Sequence, residues 1–329
     1  MPLDPQVAAH YGGRRIQNVL GVVPIDKVRA AADVIYNDKR KVIPEIEATD
    51  FTIPGEGGEI PVRLYRPGCS MQNKHWNKCK NDPAKSAAES EEPLPLILYF
   101  HGGAFMMHNI ASHDSICRRL SRDLHCIVLS VEYRLAPEHP YPAALHDAWA
   151  ALCWASDHAS EIGVDPGRLC TAGDSSGATL CAALNWYSMD HQGPAIYAQF
   201  LYYGLFGAVS IEESETVKAY GNGDYVLPKD MLLATEKAYL GGQDIPASDA
   251  YCFPGRRFPA RTNTRTLVVV AEYDPLRADG EAFAAALKAA DSPVTLFQIT
   301  GMMHGFMMLW EQFDRAGEAF AITRKLLMS

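Results

Sequence analysis

The sequence predicts an α/β fold: a mostly parallel central sheet flanked by helices, with a helical cap above it. Three observations carry this expectation. From about residue 94 onward, short apolar runs bounded by Gly or Pro alternate with helical patterns, the pattern of βαβ units and a parallel sheet. Residues 45–53 and 60–66, turned by 54–58, read as a hairpin that adds an antiparallel edge. Two segments, 24–40 and 212–242, fall outside the alternation. They read as pieces of a cap over the carboxyl ends of the strands, where open α/β sheets bind ligands.

Taken in order, 24–40 is an amphipathic helix and the hairpin follows it. Residues 70–92 are polar, rich in Lys, Asn, Ser and Glu, and read as a surface insertion. Strand 94–100 leads to helix 112–124, strand 126–133 to helix 141–162, and the short strand 169–172 to a helix opening at Ala178. Strand 196–203 precedes the 212–242 insertion, which contains a helix over 229–240. Strand 266–273, helix 279–290, strand 294–299 and an amphipathic helix over 309–327 complete the chain. The expected organisation is a cap segment over 1–44, a core over 45–211 and 243–329, and a cap insertion over 212–242. No internal repeat is visible.

Composition narrows the function classes. The 329 residues are 48% hydrophobic and 21% charged, with a net charge of −9. An acidic balance argues against nucleic acid, whose phosphates need clustered Lys and Arg. No apolar run reaches the ~18 residues of a membrane span, and no signal peptide is visible in Met1-Pro2-Leu3-Asp4-Pro5. The eight cysteines form no C-x-x-C pair. Cys117, Cys126, Cys153, Cys170, Cys181 and Cys252 lie in apolar or helical surroundings and read as reduced thiols. Cys69 and Cys79 flank the polar stretch and leave a disulfide open. A cytoplasmic protein is expected.

Chemistry concentrates in Gly173-Asp174-Ser175-Ser176-Gly177, between a strand and a helix. A G-x-S-x-G in that setting is a nucleophile elbow: small neighbours permit a tight turn that presents the serine above the sheet. The helix N-terminus behind it favours developing negative charge. A serine hydroxyl needs a base, and the base needs an acid behind it. On folds that carry this elbow the acid follows the serine and the histidine comes last. Asp274 ends strand 266–273 and is broken off by Pro275; Glu272 is the weaker alternative, and Asp279 reads as a helix cap. His304 is the only histidine after Asp274. The other histidines show no H-E-x-x-H spacing, so no metal is expected, and hydrolysis by such a triad needs no cofactor. Strand 94–100 runs into His101-Gly102-Gly103-Ala104-Phe105, whose small residues let backbone N–H groups approach a substrate oxygen; each such donor contributes about 3–4 kcal/mol to a transition state. The second source of donors is the N–H of Ser176.

Five motifs agree in identity and order: His101-Gly102-Gly103, Tyr133-Arg134-Leu135-Ala136-Pro137-Glu138-His139-Pro140, Gly173-Asp174-Ser175-Ser176-Gly177, Asp274-Pro275-Leu276 and His304-Gly305-Phe306. With them the chain resembles the hormone-sensitive-lipase-like (family IV) carboxylesterases, on the α/β-hydrolase fold, over about residues 45 to 329. The resemblance implies Ser175 as nucleophile, His304 as base and Asp274 as its acid. It implies that Gly102, Gly103, Ala104 and Ser176 surround the oxyanion, with Gly103, Ala104 and Ser176 as the donors. Arg134 and Glu138 are then structural. The family has a third glycine where this chain has Ala104; if the position needs positive φ, alanine costs about 1–2 kcal/mol. Phe105, Met106, Met303 and Phe306, with the neighbouring Met107 and Met307, are candidates to line an apolar acyl pocket. The expected activity is hydrolysis of short- to medium-chain acyl esters, with a small-molecule ester as the partner and a homodimer left open. The same triad serves a deacetylase, an amidase or a lactonase. Dehydratases and non-catalytic small-molecule receptors also resemble this family, the receptors without the histidine that this chain retains.

Overall fold

The computed structural model describes residues 2–36, 43–68, 92–243, 249–257 and 260–329. Strands β1 (Ile46–Gly55), β2 (Gly58–Pro67), β3 (Leu94–Phe100), β4 (Ile127–Val131), β5 (Val164–Asp174), β6 (Ala198–Tyr202), β7 (Arg265–Tyr273) and β8 (Val294–Met303) form one sheet in the order β1-β2-β4-β3-β5-β6-β7-β8. β1 and β2 pair antiparallel, β2 joins β4 antiparallel, and every other neighbouring pair is parallel. The predicted sheet and its antiparallel edge are thus observed.

Nine α-helices lie among the described residues: α1 (Pro5–Tyr11), α2 (Ile25–Tyr36), α3 (Ile110–Leu124), α4 (Ala143–Asp157), α5 (Ser176–Asp190), α6 (Glu215–Tyr220), α7 (Lys229–Leu240), α8 (Arg277–Ala289) and α9 (Gly317–Leu327). Side chains alternate across a strand, so each central strand feeds two cores. Leu96, Leu98 and Phe100 of β3 pack on one face with Leu152 of α4, Leu180 of α5 and Phe283 of α8. Ile97 and Tyr99 face the other way, towards Ile116 and Leu120 of α3 and Phe320 of α9. Both faces are covered, which is why β3 and β7 read as unbroken apolar runs.

Several boundaries differ from the sequence reading for local reasons. α3 begins at Ile110 because Asn109 and Ser112 form a reciprocal capping box, Asn109 Oδ1 accepting the Ser112 N–H and Ser112 Oγ the Asn109 N–H. The predicted closing helix over 309–327 is broken into two 3-10 turns and α9. The helix predicted over 141–162 ends at Asp157. Asp279 does not cap α8 but lies inside its first turn, where its buried carboxylate accepts the backbone N–H groups of Phe206, Gly207 and Val209. Burial lifts that carboxyl to about 6, against the lowering effect of the backbone N–H donors around it. α1 and α6 were not anticipated. Six cysteines are free, five of them buried and Cys153 half-buried; Cys69 and Cys79 and the insertion over 70–91 lie outside the described residues. No described helix is long and apolar enough to cross a membrane.

Candidate active site

β5 delivers Ser175 at its carboxyl end, and α5 starts one residue later. Ser175 has φ 52° and ψ −121°, a conformation that costs a non-glycine residue about 1–3 kcal/mol. Its N–H donates to the Tyr202 carbonyl at 2.8 Å, tying the turn to β6. The two glycines are required by contact rather than by φ. A Cβ on Gly173 would lie 2.8 Å from the Phe100 carbonyl oxygen; one on Gly177 would lie 2.8 Å from that of His101 and closer still to that of Phe100. The elbow is packed against the end of β3, and no side chain fits between them. Gly177→Ala is therefore expected to displace the β3 end and to cost about 3 kcal/mol by overpacking, read as a lower denaturation midpoint together with a lower active-site titre.

β7 and β8 supply the other two groups. Asp274 follows β7 directly and is 1% exposed. Its Oδ1 accepts the Leu276 N–H at 2.8 Å, and its Oδ2 lies 2.9 Å from His304 Nδ1. His304 Nε2 is 2.9 Å from Ser175 Oγ. In the tautomer whose Nδ1–H donates to Asp274 Oδ2, the ring presents its Nε2 lone pair to the serine. Tyr203 sets the ring from the side, at 4.8 Å between centroids and 62° between planes. The structure therefore brings Ser175, His304 and Asp274 into one hydrogen-bonded chain. Glu272, the alternative acid, is turned away and accepts the Gly301 N–H at 2.8 Å.

The loop after β3 sits against the elbow. Gly102 is placed there, but its N–H is committed to Asp174 Oδ1 at 3.0 Å, so it is not an oxyanion donor. Gly103, Ala104 and Ser176 remain the expected donors. Ala104 and Phe105 both have φ 58° and His108 has φ 69°, so the position where the family carries glycine does require the left-handed region. Phe105, Met106, Met303 and Phe306, expected on a pocket wall, are between 1% and 4% exposed and fill the packed layers beside the site. Phe105 stacks on Tyr239 of α7 at 3.7 Å and 11°. Met106 packs with Leu20, Val28 and Ala136, and Met303 and Phe306 join the core on the α3 face.

The sequence reading missed the group behind the loop. Asp174, beside the nucleophile, is 2% exposed and accepts from Tyr99 Oη at 2.8 Å, with His113 Nε2 3.2 Å away. Burial raises its carboxyl, but His113, Tyr99 and the Gly102 N–H outweigh that and hold it well below the carboxylate range. Burial pushes His101 down to about 3, with His113 acting in the same direction. A charged residue at the end of a buried strand was the available signal. Arg134 grips Asp147 with bonds of 2.8–3.0 Å. Among the described residues no three His, Cys, Asp or Glu side chains converge to hold a metal ion.

A two-sided, mostly parallel sheet that displays Ser, His and Asp at the carboxyl ends of its strands is the layout of a serine hydrolase. The profile of the alpha/beta hydrolase fold family matches residues 97–308. Among similar proteins, Esterase LipI of Mycobacterium tuberculosis is 35% identical over 270 residues, 82% of this chain and 78% of its own. Carboxylic ester hydrolase LipN of the same organism is 33% identical over 99% of this chain and 81% of its own. The solved structure of a Pyrobaculum calidifontis esterase superposes with a TM-score of 0.81 at 29% identity, covering 99% of this chain and 98% of the other. The chain belongs to the alpha/beta hydrolase fold family, in its hormone-sensitive-lipase-like branch.

Proposed function

We propose that the protein is a carboxylic ester hydrolase for short- to medium-chain acyl esters, working through Ser175, His304 and Asp274. The observation that carries the reading is the 2.9 Å contact on each side of His304. Ser175 Oγ attacks the ester carbonyl while His304 Nε2 takes its proton. The negative charge on the carbonyl oxygen is met by the N–H groups of Gly103, Ala104 and Ser176. Collapse expels the alcohol, which leaves with the proton from His304, and Ser175 is acylated. Water then attacks the acyl carbonyl as His304 Nε2 takes its proton; collapse breaks the bond to Ser175 Oγ, which regains the proton from His304, and the carboxylic acid is released. Asp274 accepts the Nδ1–H hydrogen bond throughout and stabilises the imidazolium.

The same reading makes 1–44 and 212–242 a cap. Leu20 and Val28 from the first and Met231, Ala234 and Ala238 from the second meet over Met106 and Ala136, and Tyr141 N–H donates to the Tyr239 carbonyl at 2.7 Å. Residues this close to the oxyanion loop limit the room for a long acyl chain. A homodimer through β8 and α9 fits the edge position of β8 and the exposure of Leu296 and Met328. A cytoplasmic location fits the six free thiols.

The test is hydrolysis of p-nitrophenyl esters from acetate to palmitate. The expected profile peaks at the short chains and is lost at palmitate. A maximum at palmitate would overturn the chain-length reading, and inert folded protein across the series would overturn the ester reading.

A further inference from the structure

The oxyanion loop is strained by its own conformation. Ala104, Phe105 and His108 all lie at positive φ, a region that side chains with a Cβ disfavour. Within the loop, the N–H groups of Met106 and Met107 both return to the Gly103 carbonyl, at 2.9 Å each, and from outside it Ala136 N–H donates to the Phe105 carbonyl at 2.9 Å. A strained turn persists when its surroundings over-determine it.

Here the surroundings include α2, which is remote in sequence. Arg29 Nε donates to the Met106 carbonyl at 2.7 Å, and its Nη2 donates to the Ala136 carbonyl at 3.0 Å. The same guanidinium makes a fork to Glu138, at 2.8 Å through Nη1 and 2.7 Å through Nη2. One planar group thus clips the oxyanion loop to the segment behind it and is itself oriented by a carboxylate. One turn further along α2, Asp33 Oδ1 accepts from Asn109 Nδ2 at 2.8 Å, so the far end of the loop is held by the same helix.

We propose that Arg29 is a positioning residue for the oxyanion hole: through the Met106 and Ala136 carbonyls it fixes Gly103 and Ala104 where their N–H groups meet the developing oxyanion. The N-terminal helix then does more than roof the site. Movement of α2 away from the core would release the loop, so opening of this part of the cap and loss of oxyanion geometry are one event. The proposal rests on the ester-hydrolase reading for its kinetic consequence and on the bonds above for its structural one.

Three variants of the full chain test it: Arg29→Met, Arg29→Lys and Glu138→Gln. Each is titrated with a serine-directed phosphonate so that kcat is counted per reactive Ser175. A displacement of about 1 Å at a reacting centre costs about a hundredfold, so Arg29→Met is expected to lower kcat per titrated serine about ten- to a hundredfold, with KM within about twofold. Arg29→Lys is expected not to restore it, because an ammonium point charge cannot span two carbonyls and a carboxylate. Glu138→Gln should move kcat in the same direction by less. Amide exchange over 103–109 should quicken in Arg29→Met. An unchanged kcat per titrated serine, or restoration by lysine, would overturn the positioning role; so would unchanged exchange over the loop. Wild-type protein inert to every ester would sink the ester reading alone, and the exchange measurement would still decide whether Arg29 holds the loop.

Discussion

Ser175→Ala is expected to cut the turnover of p-nitrophenyl acetate by up to about a millionfold, to the background of the assay, with the thermal midpoint close to that of wild type. Two features make the loss this large. The oxygen removed is the atom that forms the acyl bond, and His304 Nε2 is aimed at it from 2.9 Å; a methyl group leaves the base facing carbon. The fold should not notice the change. The elbow's φ of 52° is already adopted by a residue with a Cβ, and the bond that ties the turn to β6 uses the backbone N–H. The measurement is initial rate with matched circular-dichroism melts. Turnover that persists undiminished in a folded Ser175→Ala protein would remove Ser175 from the mechanism.

The fold and the Ser, Asp and His of this site were legible in the sequence because each is governed by short-range rules. β3 and β7 announce themselves as continuous apolar runs because both of their faces are buried. The elbow is legible because Gly173 and Gly177 answer a steric demand that no other residue meets. Asp274 and His304 each sit at the end of a strand, bounded by Pro275 or by Gly305. What escaped depends on contacts across the chain. Asp279 looked like a cap because it opens a helical pattern, yet it serves the loop after β6, about 70 residues earlier. Asp174 reads as part of a turn until Tyr99, Gly102 and His113 are seen around it. Arg29 lies in a helix with ordinary amphipathic spacing, and nothing local distinguishes an arginine that grips a catalytic loop from one in solvent. Proximity in sequence to a site says little about burial: Phe105, Met106, Met303 and Phe306 all belong to the packed clusters beside it, between 1% and 4% exposed.

Asp274→Asn is expected to lower kcat for short esters about ten-thousandfold while leaving the protein folded. The hydrogen bonds dictate how. Asp274 uses both oxygens: Oδ1 accepts the Leu276 N–H and Oδ2 faces His304 Nδ1. An asparagine must keep its oxygen on the Leu276 side, since its NH₂ would meet another donor there, so the NH₂ falls towards His304. Facing a donor, Nδ1 must become the acceptor, and the ring proton moves to Nε2. That nitrogen then offers Ser175 a hydrogen instead of a lone pair, and the serine has no base. Burial sharpens the preference, because at 1% exposure water does not intervene. The readout is the pre-steady-state acylation rate together with a crystal structure or ring-nitrogen NMR of the variant. The expected result is near-native geometry with the Nε2–H tautomer and acylation slowed in proportion to kcat. Native-level acylation in a folded Asp274→Asn protein would transfer the acid's role to another group, with Glu272 the first to examine.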